Sequence, residues 1–189
     1  MTGSSARIGV IAALLAAAVA GCGGARQDAD EPSGVYKLSV VSASFAKRQH
    51  VAAPTRMRIV VRNDSRKTVP VIAVTVRGFE YRDKQPGLAD ASRPNWVVDD
   101  GPRGGDSAYV DTWTLGSLPS GATRTFEWTV TPVMPGRHNV HFELAAGLDG
   151  KAKVKRTNGR PPGGVFVVRV SDRPANATVD PATGRVVRH

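Results

Sequence analysis

His138 and His141, with Met134 close by, are the side chains best suited by type to hold a metal in this sequence. Imidazole together with a thioether is a donor set that copper favours. Side chains alternate along a β-strand, however, so a spacing of three sends the two rings to opposite faces. A His138 exposed beside a turn and a solvated His141 account for both without a metal. Asp99, Asp100, Asp106 and Asp111 lie in or beside a Gly-rich stretch, and oxygen ligands on pliable backbone suit Ca²⁺. Their spacing fits no EF-hand, Arg103 stands among them, and Asp and Gly are also ordinary turn residues. Glu127 and Glu143 each alternate away from the apolar side of their strands, which predicts two solvated carboxylates and not an acid/base pair. There is no G-x-S-x-G, no phosphate-binding loop, and no base with an orienting partner. The sequence therefore implies no enzyme, no catalytic residue, no cofactor and no metal centre. Trp96, Tyr109 and Trp113 are the candidates for a binding surface. Exposed aromatics beside a long loop mark interfaces, whereas tryptophans that cover the end of a sandwich do not.

The other chemically distinctive residue is Cys22, the one cysteine of the 189. No intrachain disulfide can form, so packing must hold the fold. Ahead of it, residues 8–20 (IGVIAALLAAAVA) run without charge behind Arg7. Thirteen residues span about 20 Å as a helix, short of the roughly 20 residues needed to cross a bilayer. A short apolar core with a basic flank is the pattern of a secretory signal peptide. It ends in Val19-Ala20-Gly21-Cys22, which resembles the bacterial lipobox. The resemblance implies cleavage after Gly21, a diacylglyceryl group on Cys22 and N-acylation of the new terminus. Each buried CH₂ contributes about 0.8 kcal/mol, so two or three chains hold where one does not. The implied location is the cell envelope, membrane-anchored and facing the extracytoplasmic side.

The formal charge is +10, with 19 Arg against 7 Lys. A strongly basic surface is drawn to anionic ones. For an exported chain these are lipid headgroups and anionic envelope polymers, and nucleic acid is not an expected partner. Residues 22–34 carry Gly, Pro and acidic side chains without apolar periodicity, and read as a flexible tether.

From residue 35 the apolar period is two. Tyr36, Leu38 and Val40 share a side in residues 35–46. Met57, Ile59 and Val61 alternate with Arg56, Arg58 and Arg62. Residues 69–76 read as a more central strand, and residues 109–115 as another. Phe126, Trp128 and Val130, then Val140, Phe142 and Leu144, then Phe166, Val168 and Val170 mark three further inward faces, while Lys151, Lys153 and Lys155 share a wet one. Residues 84–108, rich in Pro, Gly and Asp, read as a long loop with a short strand at Trp96-Val97-Val98. Seven or eight strands between turn signals, with no helical period outside the leader, predict an all-β antiparallel sandwich. The expected division is a signal peptide at 1–21, the tether at 22–34, the sandwich at 35–172, and a tail or small hairpin at 173–189.

Several turns carry a family likeness. Val60-Val61-Arg62-Asn63, Leu115-Gly116-Ser117-Leu118-Pro119-Ser120-Gly121, Trp128-Thr129-Val130-Thr131-Pro132 and Pro135-Gly136-Arg137-His138-Asn139-Val140 occur in that order. Together they resemble bacterial immunoglobulin-like surface domains of the CARDB type, over residues 36–170. The resemblance implies an immunoglobulin-like sandwich used for adhesion or as a spacer, with no catalytic residues to carry over. A protein or an anionic envelope polymer is the partner class it leaves open. A metal-handling lipoprotein and an accessory subunit of an envelope complex are the alternatives.

Overall fold

Met57, Ile59, Val61 and Asn63 are fully buried while Arg56, Arg58 and Arg62 are exposed, so the strictest alternation in the sequence is a half-buried strand. A computed structural model of the protein describes residues 31–155, 157–175 and 177–188. The leader, Cys22 and the tether as far as residue 30 lie outside the described residues. The strands in chain order begin with β1 (Gly34–Tyr36), β2 (Leu38–Phe45), β3 (Arg48–His50), β4 (Thr55–Asn63), β5 (Ala73–Arg77), β6 (Glu80–Arg82), β7 (Ser92–Pro94) and β8 (Trp96–Asp100). They continue with β9 (Asp106–Tyr109), β10 (Thr112–Thr114), β11 (Thr123–Pro132), β12 (Gly136–Ala145), β13 (Ala152–Val154), β14 (Gly163–Ser171), β15 (Ala177–Val179) and β16 (Val186–Arg188). Among the described residues no helix is long and apolar enough to cross a membrane.

Two sheets form the sandwich. One runs β2-β4-β11-β8 and the other β3-β14-β12-β5-β10-β9. The first, facing β14-β12-β5, has the strand order of an immunoglobulin-like sandwich, A-B-E-D against G-F-C. The fold is thus all-β and immunoglobulin-like, as expected. Met57, Ile59, Val61, Phe126, Trp128 and Val130 from one sheet meet Val74, Val76, Val140, Phe142, Leu144 and Val168 from the other in a single core. Of the seven strands of that order, β4, β11, β12 and β14 carry the clearest alternation, while β5 and β8 do not alternate. Three more extend the second sheet: β3, parallel to β14, and the pair β9 and β10 beyond β5.

Four expectations are corrected. Residues 84–108 are not one loop. Residues 92–94 pair with β6, β8 joins the first sheet and β9 the second, leaving 84–91 and the turn at 101–105 as connections. Residues 69–76 do not form one strand. Pro70 has no N–H for a ladder, Val69 bridges Leu118 instead, and the strand starts at Ala73, central between β12 and β10. Residues 35–46 divide between two partners: β1 runs parallel to β13, and β2 pairs with β4. A bulge between Val40 and Ser42 shifts the inward phase, so Leu38 and Phe45 are both buried despite their odd spacing. Finally, the polar segment ends before Gly34, because Glu31 is part of the domain. Its buried carboxylate accepts the backbone N–H groups of Leu148 (2.6 Å), Asp149 (3.0 Å) and Ala152 (2.6 Å). A Cβ on Gly147 would collide with that carboxylate. At the C-terminus β15 and β16 pair as a small hairpin.

Asn63 ties two turns together. Its Nδ2 donates to the carbonyls of Lys67 and Leu118, both at 2.8 Å, and its Oδ1 accepts from the N–H of Ser65. Asn63→Ala removes all three bonds at once, although the Leu118 carbonyl keeps the Val69 N–H at 2.9 Å. The variant is expected to lose about 2 kcal/mol, measured as a lowered midpoint in urea unfolding at unchanged slope.

Asp111 turns β9 into β10 with φ 60°. Partial burial, then the nearby Glu80 carboxylate, raise its pKa above 3.8, while Arg77 draws it back. A carboxyl whose pKa is higher in the folded state binds its proton more tightly there. Its contribution to stability is complete below the unfolded value and is lost as pH rises through the folded one. Asparagine also tolerates left-handed backbone. Asp111→Asn is therefore expected to be more stable than the wild type at neutral pH, and the difference to close below pH 3.8. Paired unfolding curves at the two pH values check this.

Candidate binding surfaces

Trp96 is not part of a surface. It is 1% exposed, and its Nε1 donates to Gln49 Oε1 at 2.7 Å. Gln49 is itself buried on β3 and donates through Nε2 to the Ala46 carbonyl. Phe45, Phe79 and His138 surround the indole. A tryptophan enters a core when its N–H finds an acceptor, and here the acceptor lies 47 residues earlier. Trp113 is half-buried. It packs edge-on against Trp128, with centroids 5.4 Å apart and planes at 83°, and against Phe79. Of the three aromatic candidates, Tyr109 is exposed, next to the still more exposed Val110.

The metal candidates do not converge. His138 is half-buried, with Nε2 3.0 Å from the Met134 carbonyl oxygen, whereas His141 is exposed on the opposite side of β12. Asp99 Oδ2 accepts from the Thr131 hydroxyl at 2.7 Å. Asp100 lines a polar cleft on the first sheet, Asp106 is at the start of β9, and Asp111 forms the β9–β10 turn. Among the described residues no group of three or more His, Cys, Asp or Glu side chains is placed to hold a metal ion. Glu127 and Glu143 are exposed on the outer faces of different sheets, with the core between them. Each faces an arginine, Arg58 at 4.0 Å and Arg77 at 3.7 Å.

Three basic surfaces remain. On the outer face of the first sheet, Arg56, Arg58 and Arg62 stand among the hydroxyls of Thr123, Thr125 and Thr129. Acids balance this face: Arg62 lies 3.3 Å from Asp64, and a cleft of about 310 Å³ brings Arg56 and Arg103 together with Asp100 and Glu127. Lys151, Lys153 and Lys155 are exposed along β13, with Lys151 2.9 Å from Asp149. Exposed pairs of this kind stabilise by about 0–1 kcal/mol. The third surface was not visible as a cluster in the sequence. Arg137 on β12 is the register partner of Arg169 on β14, and Arg169 that of Arg48 on β3. Residues 48, 137 and 169 become neighbours only once the strand order is known.

No protein-family model matches the chain, and no characterised protein matches it in sequence. Several solved structures are similar in shape. A CARDB domain from Pyrococcus furiosus, crystallised in complex with di-metal ions, shares 14% identity at a TM-score of 0.47, covering 74% of this chain and 92% of that one. A complex between zinc 2-glycoprotein and prolactin-inducible protein from human seminal plasma gives 9% identity and a TM-score of 0.42, over 71% of this chain and 93% of that one. A β-glucosidase from Listeria innocua in complex with glucose gives 14% identity and a TM-score of 0.36, over 74% of this chain but 16% of the enzyme. The immunoglobulin-like architecture rests on the chain's own strand order.

Proposed function

We propose that the chain is a non-enzymatic, membrane-anchored binding module of the extracytoplasmic cell envelope. Lipid on Cys22 holds it, and the immunoglobulin-like sandwich binds a protein or an anionic envelope polymer. The observation that carries this reading is where the chain joins the domain. Glu31 is fixed against residues 147–152, just past the last residue of β12. The eight residues between Cys22 and Glu31 therefore attach at one end of the sandwich, opposite the end at which the C-terminal segment leaves β14. A copper-handling reading has less support, because His138 and His141 diverge and His138 Nε2 lies 3.0 Å from the backbone carbonyl oxygen of Met134.

The test is the full chain produced in a bacterium, beside Cys22→Ser. The wild type is expected in the membrane fraction, released by detergent, with Cys22 as its N-terminus and a peptide mass raised by lipid. Cys22→Ser is expected to carry no lipid. An unmodified Cys22 in the wild type would remove the anchor from the reading. In neutral detergent the same protein is expected to be retained by cell-wall fragments at physiological salt. Passage through them without retention would remove the binding role and leave the anchor standing.

A further inference from the structure

On β3, β14 and β12, at one register, the second sheet carries Arg48, Arg169 and Arg137 side by side. All three are exposed. Neighbouring strands are about 4.8 Å apart, and like charges directly opposite one another destabilise a sheet. Three other arginines of the two sheets, Arg58, Arg62 and Arg77, each face a carboxylate. None of the three in this row makes an ion pair among the described residues. They line one open cleft of about 670 Å³, whose single carboxylate is Asp172 at its rim. Three guanidiniums against one carboxylate leave a net charge of +2 around the cleft.

We propose that this row is an oxyanion site that takes the phosphate groups of a linear polyanion. The guanidinium is a rigid fork of donors that matches phosphate oxygens and is never deprotonated. A single planar carboxylate is satisfied by one or two such forks. A chain of phosphates offers acceptors to all three across adjacent strands, and removes the repulsion that the empty row carries. The phosphate has two sources in an envelope, a soluble polymer or a lipid headgroup. Position favours the polymer. Arg137 lies near the start of β12, and Glu31 is fixed just beyond Ala145 at its end. Eight residues of extended strand separate these ends by about 27 Å. The row thus lies at the end of the second sheet opposite the one that carries the tether. This direction rests on the lipid anchor proposed above; the site itself does not.

The experiment titrates the full chain, in neutral detergent, with a short inorganic polyphosphate by calorimetry at several salt concentrations. The wild type is expected to bind, with an affinity that falls as salt rises. Arg169→Gln is expected to weaken binding about tenfold or more and to lower the salt slope by about one. Without polyphosphate the same variant is expected to melt higher than the wild type, because the repulsion is relieved. That result also shows that the variant is folded. Arg62→Gln removes the same charge from the opposite sheet and is expected to leave binding nearly unchanged. Equal weakening by Arg62→Gln and Arg169→Gln, or no binding by the wild type, would overturn the site. Soluble dihexanoyl phosphatidylglycerol is expected not to displace polyphosphate. Displacement at equal phosphate concentration would overturn the polymer in favour of a lipid headgroup.

Discussion

The carboxylate of Glu31, buried and held by three backbone N–H groups, fixes where the chain enters the sandwich. A hydrogen bond to a charged group stabilises by about 1.5–3 kcal/mol. Against that stands the cost of taking a carboxylate out of water. Three donors converging from residues 148–152 satisfy the charge, with no cationic side chain paired to it among the described residues. They also fix where the polypeptide meets the sandwich. β1 follows directly and runs parallel to β13, so the segment is held by a side chain and by a ladder within a few residues. One end of β12 becomes the end at which Glu31 joins the sandwich, and every other surface is placed relative to it.

The sandwich then sorts its charge by face. Period two puts alternate side chains outside, and both outer faces collect arginine. On the first sheet the strand register brings acids opposite, as with Arg58 and Glu127. On the second, Arg77 meets Glu143. At the far end the register instead stacks arginine on arginine across three strands. A sheet tolerates such a row when the side chains remain in water, where their repulsion is weak. The core does not share this unevenness. Its buried polar side chains are satisfied by named partners, Asn63 by two turns and Trp96 by Gln49. The Trp128 indole N–H is the one buried side-chain donor without an acceptor among the described residues.

Much of the fold was legible because long strands bury one face. β4, β11, β12 and β14 each run nine or ten residues with apolar side chains on alternate positions, and each faces inward as the alternation requires. β3, β6, β7 and β10 have three residues each, too few to show a period, and β6 has no buried side chain. The phase change in β2 comes from one bulge, which alternation alone does not reveal. The sites were harder to read for a different reason. Trp96 is inside because of Gln49, Glu31 is fixed by amides more than a hundred residues away, and the arginine row depends on strand register. These are relations between distant positions. The residue types hinted at aromatic and basic surfaces but did not place them.

The amide hydrogen exchange of Leu148, Asp149 and Ala152 tests the account at its base. If Glu31 holds these three groups, they exchange slowly and together in the wild type. In Glu31→Ala all three become fast while the amides of β4 and β11 stay protected. Fast exchange at all three in the wild type would contradict the account. The N-terminal segment would then not be fixed to that end of the sandwich, and the orientation assigned to the arginine row would fall with it.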